Sequence, residues 1–481
     1  MNGFKYISDE PSITWINDSL LNQRIDSSFY LPKYIINEEV LKNSGLSLKN
    51  LEHVTKWVKK GIFDMPARLY SKVRENHIPF IRISNIKDLE FDTTDLVYIP
   101  IDSHKKEIKT ELFRGDIVIS KVGTIGNIGI INEELSPCNF SQNNIGIKMN
   151  GKIDSHYLAV YMLSKYCILQ LNRHSTIQVQ AKLNLSDIRD LIVPVPSQEI
   201  QKYIGDKIRR VEELRDEAKK LRDEAEEYIN KKLGFLNLDE DKQYSSAFIP
   251  SNKIIDRIDS EYYNIRYLNI EEEFEKRGYK VKTLDELCTR IYNGKTYSTS
   301  IKESKYINIG VGELGDWFIN KNSEKFINDT INKKYCLKKN SIIWGNAAHL
   351  AKYIGEKVNM IFEDDVIIPT TEVTAIEPNE EVIDPYYLFL FMRSQWGYYQ
   401  IQRTVKGMTA HSYPQDIERI LVPIIELTTE EKEKLKNYVV KSFTNEVLAK
   451  QLIQKAKQDV EDLIEGKFDM SKLNETTTES R

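Results

Sequence analysis

The sequence predicts an α+β protein: two copies of one mixed α/β domain, joined by two long antiparallel coiled-coil helices with pseudo-two-fold symmetry. Three observations predict this fold. The heptapeptide RIDSSFY at 24–30 recurs as RIDSEYY at 257–263. The segment DIRDLIVP, which ends at Pro194, recurs as DIERILVP, which ends at Pro423. A charged segment with heptad spacing follows each copy, as expected for a duplicated domain with an attached helix.

The stretches between these markers also correspond. HYLAVYMLSKY from His156 aligns with YYLFLFMRSQW from Tyr386. PFIRISNI from Pro79 aligns less closely with KYINIGVG from Lys305. The offset between the copies drifts by only a few residues, as expected when small loop insertions separate two copies of one domain. We therefore expect the same fold in both halves of the chain.

Each domain, at 1–196 and 240–425, is predicted to mix strands and helices. In DIVISKVGTIGNIGIINE, β-branched runs are broken by Gly123, Gly126 and Gly129, which indicates strands joined by tight turns. HYLAVYMLSKYCILQLN has the apolar spacing of a helix. DLIVPVP is typical of a final strand that prolines bring to an end.

Two long helices are predicted as spacers, at 197–236 and 426–467. The stretch SQEIQKYIGDKIRRVEELRDEAKKLRDEAEEYINKKL contains one glycine and no proline. Both segments carry apolar residues at the alternating three-and-four spacing of a coiled-coil seam. The seam positions are Ile204, Val211, Leu214, Ala218, Leu221, Ala225 and Tyr228 in the first helix and Ala449, Ile453, Ala456, Val460 and Leu463 in the second.

A helix of this kind buries only one narrow stripe, so it needs a partner helix. The expected partner is the helix of the other copy, and a two-fold arrangement would make the pair antiparallel with the domains at opposite ends. Two alternatives stay open: each helix could pack on its own domain, or the helices could mediate dimerisation. The last stretch, 468–481, is polar and is expected to be disordered.

Composition narrows the classes of protein. A net charge of −4 over 481 residues counts against gripping nucleic acid by bulk electrostatics, without excluding local basic patches. No apolar run approaches the roughly 20 residues that cross a bilayer, so no membrane association is expected. The N-terminal MNGFKYISDEPS lacks the pattern of a secretory signal. The cysteines are single and widely spaced, which favours buried thiols in a reducing cytoplasm; they are Cys138, Cys167, Cys288 and Cys336.

The sequence carries no recognisable catalytic motif. It has no Walker phosphate loop and no dinucleotide fingerprint, because GTIGNIG is not followed by the helix that such a loop requires. DPYY at 384–387 faintly resembles the (Asn/Asp)-Pro-Pro-(Tyr/Phe) motif of amino-methyltransferases, but the second proline is missing and the first copy has SHYL. We interpret it as a helix entry. No catalytic residue and no metal site are predicted.

Three stretches carry a resemblance to a known family. LIVPVPSQEIQKYI at 191–204 resembles the junction between recognition domain and helix in the specificity subunits of type I restriction–modification enzymes. RGDIVISKVGTIGNIGII at 114–131 is similar to the glycine-punctuated hairpin of that family. The paired heptapeptides lie where each recognition domain of the family begins. The resemblance extends to about residue 467.

This resemblance implies a non-catalytic subunit that reads a bipartite double-stranded DNA target with a fixed gap. Two DNA methyltransferase (modification) subunits would bring S-adenosylmethionine, and restriction/translocase subunits would bring ATP and Mg, so this chain would bind no cofactor itself. Two alternatives stay open. One is the target-recognition subunit of a type IIB-like restriction–methylation enzyme, and the other is an interaction scaffold that binds no DNA.

Direct readout of bases needs paired donors and acceptors, with Arg or Lys for guanine and Asn or Gln for adenine. Clusters of such side chains in both copies are the candidate DNA contacts. In the first copy they are Ser84, Asn85, Lys121, Thr124, Asn127, Gln142, Asn143, Asn144, Arg173, Thr176, Gln178 and Gln180. In the second copy they are Asn346, His349, Lys352, Thr370, Thr371, Arg403, Lys406, Thr409 and His411.

Overall fold

The computed structural model describes residues 26–123, 125–175, 182–234, 236, 248–249, 251, 254, 257–320, 325–407 and 409–475. The chain divides into two compact units. Unit 1 is Met1–Arg215 with Val447–Arg481, and unit 2 is Asp216–Glu446. The boundary falls inside both long helices, so each unit consists of one α/β domain and one half of each helix.

Unit 1 is built from short strands and mostly short helices. Its strands are β1 (Ser47–Asn50), β2 (Trp57–Lys60), β3 (His77–Ile81), β4 (Ile86–Lys87), β5 (Glu90–Phe91), β6 (Val97–Pro100), β7 (Ile117–Ser120), β8 (Ile128–Ile130), β9 (Asn139–Phe140), β10 (Asn144–Lys148) and β11 (Ile192–Val195). Its helices are α1 (Pro32–Lys42), α2 (Leu51–Val54), α3 (Ile101–Lys106), α4 (Ser155–Leu163), α5 (Lys165–His174), α6 (Leu185–Arg189) and the first half of α7 (Gln198–Leu233).

The main sheet of unit 1 is antiparallel, in the order β2-β10-β7-β8. A second sheet, β6-β3-β9, contains a parallel pair in which Phe80 lies opposite Asn139. Helix α4 is apolar all round and is buried against the main sheet, as expected for a helix at the centre of a core. Asp154 begins this helix by accepting hydrogen bonds from the backbone N–H groups of His156 and Tyr157.

Unit 2 has its own set of elements. Its strands are β12 (Val281–Thr283), β13 (Cys288–Asn293), β14 (Thr299–Ser300), β15 (Tyr306–Ile309), β16 (Phe326–Ile327), β17 (Ile342–Gly345), β18 (Ala347–Ala348), β19 (Val358–Met360), β20 (Ile367–Pro369), β21 (Val373–Pro378), β22 (Ala410–His411) and β23 (Leu421–Pro423). Its helices are α8 (Ile265–Lys276), α9 (Leu284–Leu287), α10 (Pro385–Arg393), α11 (Gln395–Thr404), α12 (Pro414–Ile417) and the first half of α13 (Thr429–Ile464). A final short helix, α14 (Lys472–Glu475), belongs to unit 1.

The sheets of unit 2 repeat those of unit 1. The main sheet has the order β13-β21-β17-β19, which matches β2-β10-β7-β8 strand for strand. The parallel pair β15–β20 matches β3–β9, and the two-stranded pair β12–β23 matches β1–β11. Asp384 caps α10 through the N–H groups of Tyr386 and Tyr387, as Asp154 caps α4. The predicted duplication is therefore confirmed, and DPYY is a helix entry.

The repeated heptapeptide has a structural role that its sequence did not reveal. In unit 1, Arg173 of α5 donates to the Phe29 carbonyl at 3.0 Å and to Glu38 at 2.8 Å, with its guanidinium 4.2 Å from the centre of the Phe29 ring. In unit 2, Arg403 of α11 donates to the Tyr262 carbonyl at 3.0 Å and stacks 4.4 Å from the Tyr262 ring. Phe29 and Tyr262 occupy the same position of the heptapeptide.

Arg173 and Arg403 were both predicted to contact DNA, and the structure shows that both also make contacts within their own units. Their donors and their planar faces are used within their own units, where they fasten the heptapeptide to the helix hairpin. Arg403 also forms an ion pair of 2.6 Å with Glu271. The carbonyl bond, the ion pair and the cation–π contact together hold each guanidinium against the heptapeptide of its own unit.

Within each unit the long helices pair as antiparallel segments. In unit 1, Lys207 of α7 binds Asp459 of α13 at 2.7 Å, and Tyr203 packs edge-on against Phe468 at 5.9 Å. In unit 2, Asn445 donates to Glu217 at 2.9 Å. Tyr228 lies further along α7 and donates to Glu431, which lies earlier in α13, so the two helices run in opposite directions. Every predicted seam residue is buried or partly buried against this pairing or the adjoining domain core.

The segment 468–481 was predicted to be disordered, and its first part is not. Phe468 and Leu473 pack on the core of unit 1, and Lys472 binds the buried carboxylate of Asp459 at 2.9 Å. Asp459 is thus shared between Lys207 and Lys472, which compensates a charge that burial alone would disfavour. Residues 476–481 lie outside the described residues.

We predict that Arg403→Gln destabilises unit 2 by about 1–3 kcal/mol, because the Tyr262 carbonyl and the Glu271 carboxylate lose a charged donor. Chemical denaturation of the full chain measures this loss. Lys357→Gln, at an exposed lysine of the same unit, is the matched control and should change stability by less than about 0.5 kcal/mol. Equal stability of the two variants would show that Arg403 does not fasten the heptapeptide.

We predict that Leu214→Asp costs about 3–5 kcal/mol, because it places an unpaired charge at a seam position that is 1% exposed. Glu213→Asp introduces the same side chain one position away on the exposed face and serves as the control. Thermal unfolding of both variants gives the comparison. If Leu214→Asp unfolded at the temperature of the control, the helix pairing described above would be wrong.

Candidate nucleic-acid interface

In unit 1, the candidate residues converge where the central strands of the main sheet end. β7 ends at Ser120, and the next residue, Lys121, donates its backbone N–H to the Asn143 carbonyl at 3.1 Å. The Lys121 carbonyl accepts from the N–H of Leu183 at 3.0 Å, and the neighbouring Lys182 forms a β-bridge with Val122. Lys121, Gln142 and Asn143 therefore lie on loops at one edge of the sheet.

Lys121 lies in an unusual electrostatic environment. It is 7% exposed, and burial together with the nearby charges of Lys60 and Lys182 lowers the pKa of its ammonium group. Within the described parts of the chain, neither Lys60 nor Lys121 forms an ion pair with a carboxylate. A partly desolvated cation of this kind attracts an external anion or a strong acceptor.

In unit 2, the equivalent edge is neutral and hydrogen-bonded. The side-chain amide of Asn346 donates to the Thr371 carbonyl and to the Thr374 hydroxyl, both at 3.2 Å. The Thr374 hydroxyl donates in turn to the Oδ1 atom of Asn293 at 2.7 Å. The Thr371 hydroxyl is 3.1 Å from that of Thr296 and is exposed.

A second group of candidates in unit 2 lies around β18 and β22. His411 pairs with Ala347, and its backbone exchanges hydrogen bonds with Lys406. The His411 ring stacks on Tyr413 with 6.3 Å between centres. His349, Lys352 and Thr409 are exposed on the adjoining loops, so unit 2 also presents a polar edge with exposed donors.

Several predicted contacts form hydrogen bonds that support the fold. The Asn85 side chain accepts from the N–H of Arg82 and donates to the Asp92 carbonyl, both at 2.9 Å. The Asn127 amide donates to a main-chain carbonyl at 3.2 Å, and the Asn144 amide does so at 3.1 Å. Asn85, Asn144 and Asn346 are almost completely buried. Short polar side chains that satisfy buried backbone groups look the same in sequence as exposed base readers.

The remaining predicted contacts vary in position. Ser84 is exposed in a turn after β3, Thr370 is half-buried after β20, and Lys406 is bound to Asp416 at 2.8 Å. Four others lie outside the described residues: Thr124, Thr176, Gln178 and Gln180.

Sequence reasoning missed three residues at these edges. Lys60 and Lys182 accompany Lys121 in unit 1, and Asn293 accompanies Asn346 in unit 2. The only signal was that Lys60 and Asn293 each precede a glycine, Gly61 and Gly294, whose N–H continues the strand ladder. These positions lie far from their neighbours in sequence, and strand pairing alone brings them together.

No group of three or more His, Cys, Asp or Glu side chains within the described ranges could hold a metal ion. Burial raises the pKa of the Cys138 and Cys167 thiols, which makes them poor nucleophiles. Among the helices of the described chain, none combines the length and the apolar character needed to cross a bilayer.

Comparison with known proteins identifies related sequences for part of the chain. Residues 64–227 match the family described as Type I restriction modification DNA specificity domain. The EcoBI type I restriction enzyme specificity subunit of Escherichia coli is 30% identical over 161 residues, which are 33% of this chain and 32% of that protein. The StySPI specificity subunit of Salmonella potsdam is 27% identical over 157 residues, 31% of this chain and 32% of that protein.

The chain thus spans about a third of the length of the curated relatives that it matches. Among solved structures, the type I restriction–modification S subunit from M. genitalium aligns with 89% of this chain and 97% of its own, at 14% identity and a TM-score of 0.43. Over residues 64–227, the resemblance to type I specificity subunits that the sequence predicted is confirmed.

Proposed function

We propose that this chain is the DNA sequence-specificity subunit of a type I restriction–modification enzyme and reads a bipartite double-stranded target. The observation that carries this proposal is the repeat of one sheet order in two units whose equivalent edges carry different side chains. Two domains with the same fold but different side chains at the equivalent sheet edges are suited to recognise two different short DNA sequences. The match of residues 64–227 to a DNA specificity domain supports the same conclusion.

Each unit would contact its half-site with donors at its sheet edge. In unit 1 the candidates are Ser84, the largely buried Lys121, Gln142 and Asn143. In unit 2 they are His349, Lys352, Thr371, Thr409 and His411. Lysine suits the acceptors of guanine, glutamine and asparagine suit adenine, and threonine suits either base pair. The long helices would set the gap between the half-sites, much as dimer geometry sets half-site spacing in other DNA-binding proteins.

The chemistry would reside in partner subunits. Two DNA methyltransferase subunits would supply S-adenosylmethionine and transfer the methyl group, and restriction/translocase subunits would supply ATP hydrolysis with Mg and cleave. The enzyme would act in the cytoplasm. This division of labour is consistent with a net charge of −4, since partners can share the grip on the DNA backbone.

We predict that replacing residues 1–196 with the corresponding domain of another such subunit changes one half-site and leaves the other half-site and the gap unchanged. Methylation mapping across the genome of cells that express the chimaera with its partner subunits measures this. The reciprocal exchange of 240–425 is the matched control and should change only the second half-site. A single uninterrupted motif, or a change of both half-sites together, would contradict two independent readers.

We predict that the purified chain alone binds duplex DNA but transfers no methyl group from labelled S-adenosylmethionine and cuts no DNA. Addition of the partner methyltransferase subunits should restore transfer, which serves as the positive control. Methyl transfer by the lone chain would refute the non-catalytic assignment. Failure to bind any duplex, alone or with partners, would favour the DNA-free scaffold.

A further inference from the structure

The edge of unit 1 gathers three lysines that are distant in sequence. Lys60 ends β2, Lys121 follows β7, and Lys182 forms a β-bridge with Val122. In the main sheet, Lys60 lies opposite Ile145, which lies opposite Ile119 on the other side. Directly opposed residues point to the same face of an antiparallel sheet, as do residues two apart in one strand. Lys60 and Lys121 therefore share a face, whereas Lys182, opposite Val122, starts from the other face at the same end of the sheet.

The charges of Lys60 and Lys182 both act on Lys121. Those of Lys60 and Lys182 both disfavour the protonated form of Lys121, whose side chain is itself largely withdrawn from water. Like charges at close range in a medium less polar than water repel strongly. Among the described residues, no carboxylate forms an ion pair with Lys60 or Lys121, so an external anion would relieve the repulsion.

The corresponding positions of unit 2 carry no such charge. Asn293 corresponds to Lys60, because each lies opposite the second residue of the central strand. That second residue is Thr374 in unit 2 and Ile145 in unit 1. Asn346 corresponds to Lys121, since its N–H donates to the Glu372 carbonyl just as that of Lys121 donates to Asn143.

The third position follows the same pattern. The Asn346 carbonyl accepts from the N–H of Ser412, as the Lys121 carbonyl accepts from Leu183, so His411 corresponds to Lys182. Three lysines in unit 1 are thus replaced by Asn293, Asn346 and His411 in unit 2. The two asparagines are joined through Thr374 in a neutral network that needs no external anion.

We propose that Lys60, Lys121 and Lys182 bind a backbone phosphate of the DNA next to the half-site read by unit 1, and that unit 2 holds its half-site without this contact. The inference rests on the proposed function and goes beyond it, because it assigns a different force to each half of the complex. The lysines of unit 1 add a salt-sensitive contact that the corresponding side chains of unit 2, Asn293, Asn346 and His411, do not supply.

A phosphate suits this site better than the edge of a base. The ammonium groups of Lys60 and Lys121, unpaired among the described residues, suit a full negative charge, whereas the O6 and N7 atoms of guanine carry only partial charges. Ammonium groups are compact charges that bind phosphate without the planar geometry that a base edge demands. Phosphate contacts fix the register of a protein on the duplex and carry no sequence information directly.

The test measures the affinity of the full chain for two DNA duplexes over a series of salt concentrations. One duplex contains the target sequence identified by methylation mapping, and the other has an unrelated sequence. The variants are Lys60→Gln, Lys121→Gln, Lys182→Gln and the triple variant. Lys56→Gln is the matched control, since Lys56 is exposed at the opposite end of the same strand as Lys60. Lys60 and Lys182 are exposed, so their substitution tests the site even if Lys121→Gln folds poorly.

We predict that the triple variant makes the slope of log affinity against log salt shallower by about 0.9, the value for one lost phosphate contact, equally on both duplexes. Each single variant should show part of this change, and Lys56→Gln none. In parallel, DNA should protect Lys60 and Lys182 from amine acylation, read by mass spectrometry, while Lys56 reacts as before.

The possible outcomes distinguish a failure of the phosphate site from a failure of the proposed function. If the unmodified chain binds no duplex, alone or with its partner subunits, the proposed function fails and the phosphate site with it. If it binds and all the lysine variants keep its salt slope and affinity, the phosphate site alone is refuted. An unchanged slope with relaxed choice of one base pair would instead make the cluster a guanine contact and overturn the proposal.

Discussion

The register of the central strand determines what each unit presents to a partner. In unit 1 this strand is β10, paired on both sides, and in unit 2 it is β21. A shift of one residue would turn every side chain to the opposite face of the sheet. Ile145 and Ile147 would then leave the core beneath α4, and the residues beyond the strand ends would no longer meet. The packing of an apolar helix on one face therefore also fixes the polar edge.

Much of the fold could be predicted because the chain repeats itself and because its helices obey a simple period. The duplication was visible in short matching stretches, and even the weak match of PFIRISNI with KYINIGVG reflects equivalent strands, β3 and β15. The seam positions followed from the spacing of apolar residues such as Val211 and Val460, both now buried. The tail was misjudged because Phe468 and Leu473 are isolated among polar residues, where a docking contact leaves no periodic signal.

The candidate site was predicted less well, for two physical reasons. First, asparagine and arginine serve backbone groups as readily as bases, so Asn85 and Arg173 could not be distinguished from Gln142 by type alone. Second, neighbours at a sheet edge come from strands far apart in sequence. Lys60 and Lys121 lie at the same end of the sheet only because β10 pairs with both of their strands. No local sequence pattern indicates these strand pairings.

The fastening of each heptapeptide bears on how such a chain can change over generations. Arg173 and Phe29 lie in one unit, Arg403 and Tyr262 in the other, so each domain closes on itself with its own first and last segments. A gene segment that begins at the heptapeptide and ends after the helix with the arginine, α5 or α11, encodes both partners of this contact. Exchange of such a segment would keep this contact intact, whereas a crossover between the heptapeptide and the arginine would separate its two partners. The exchanged domain would still have to pack on the long helices, since residues of both belong to the core of its unit.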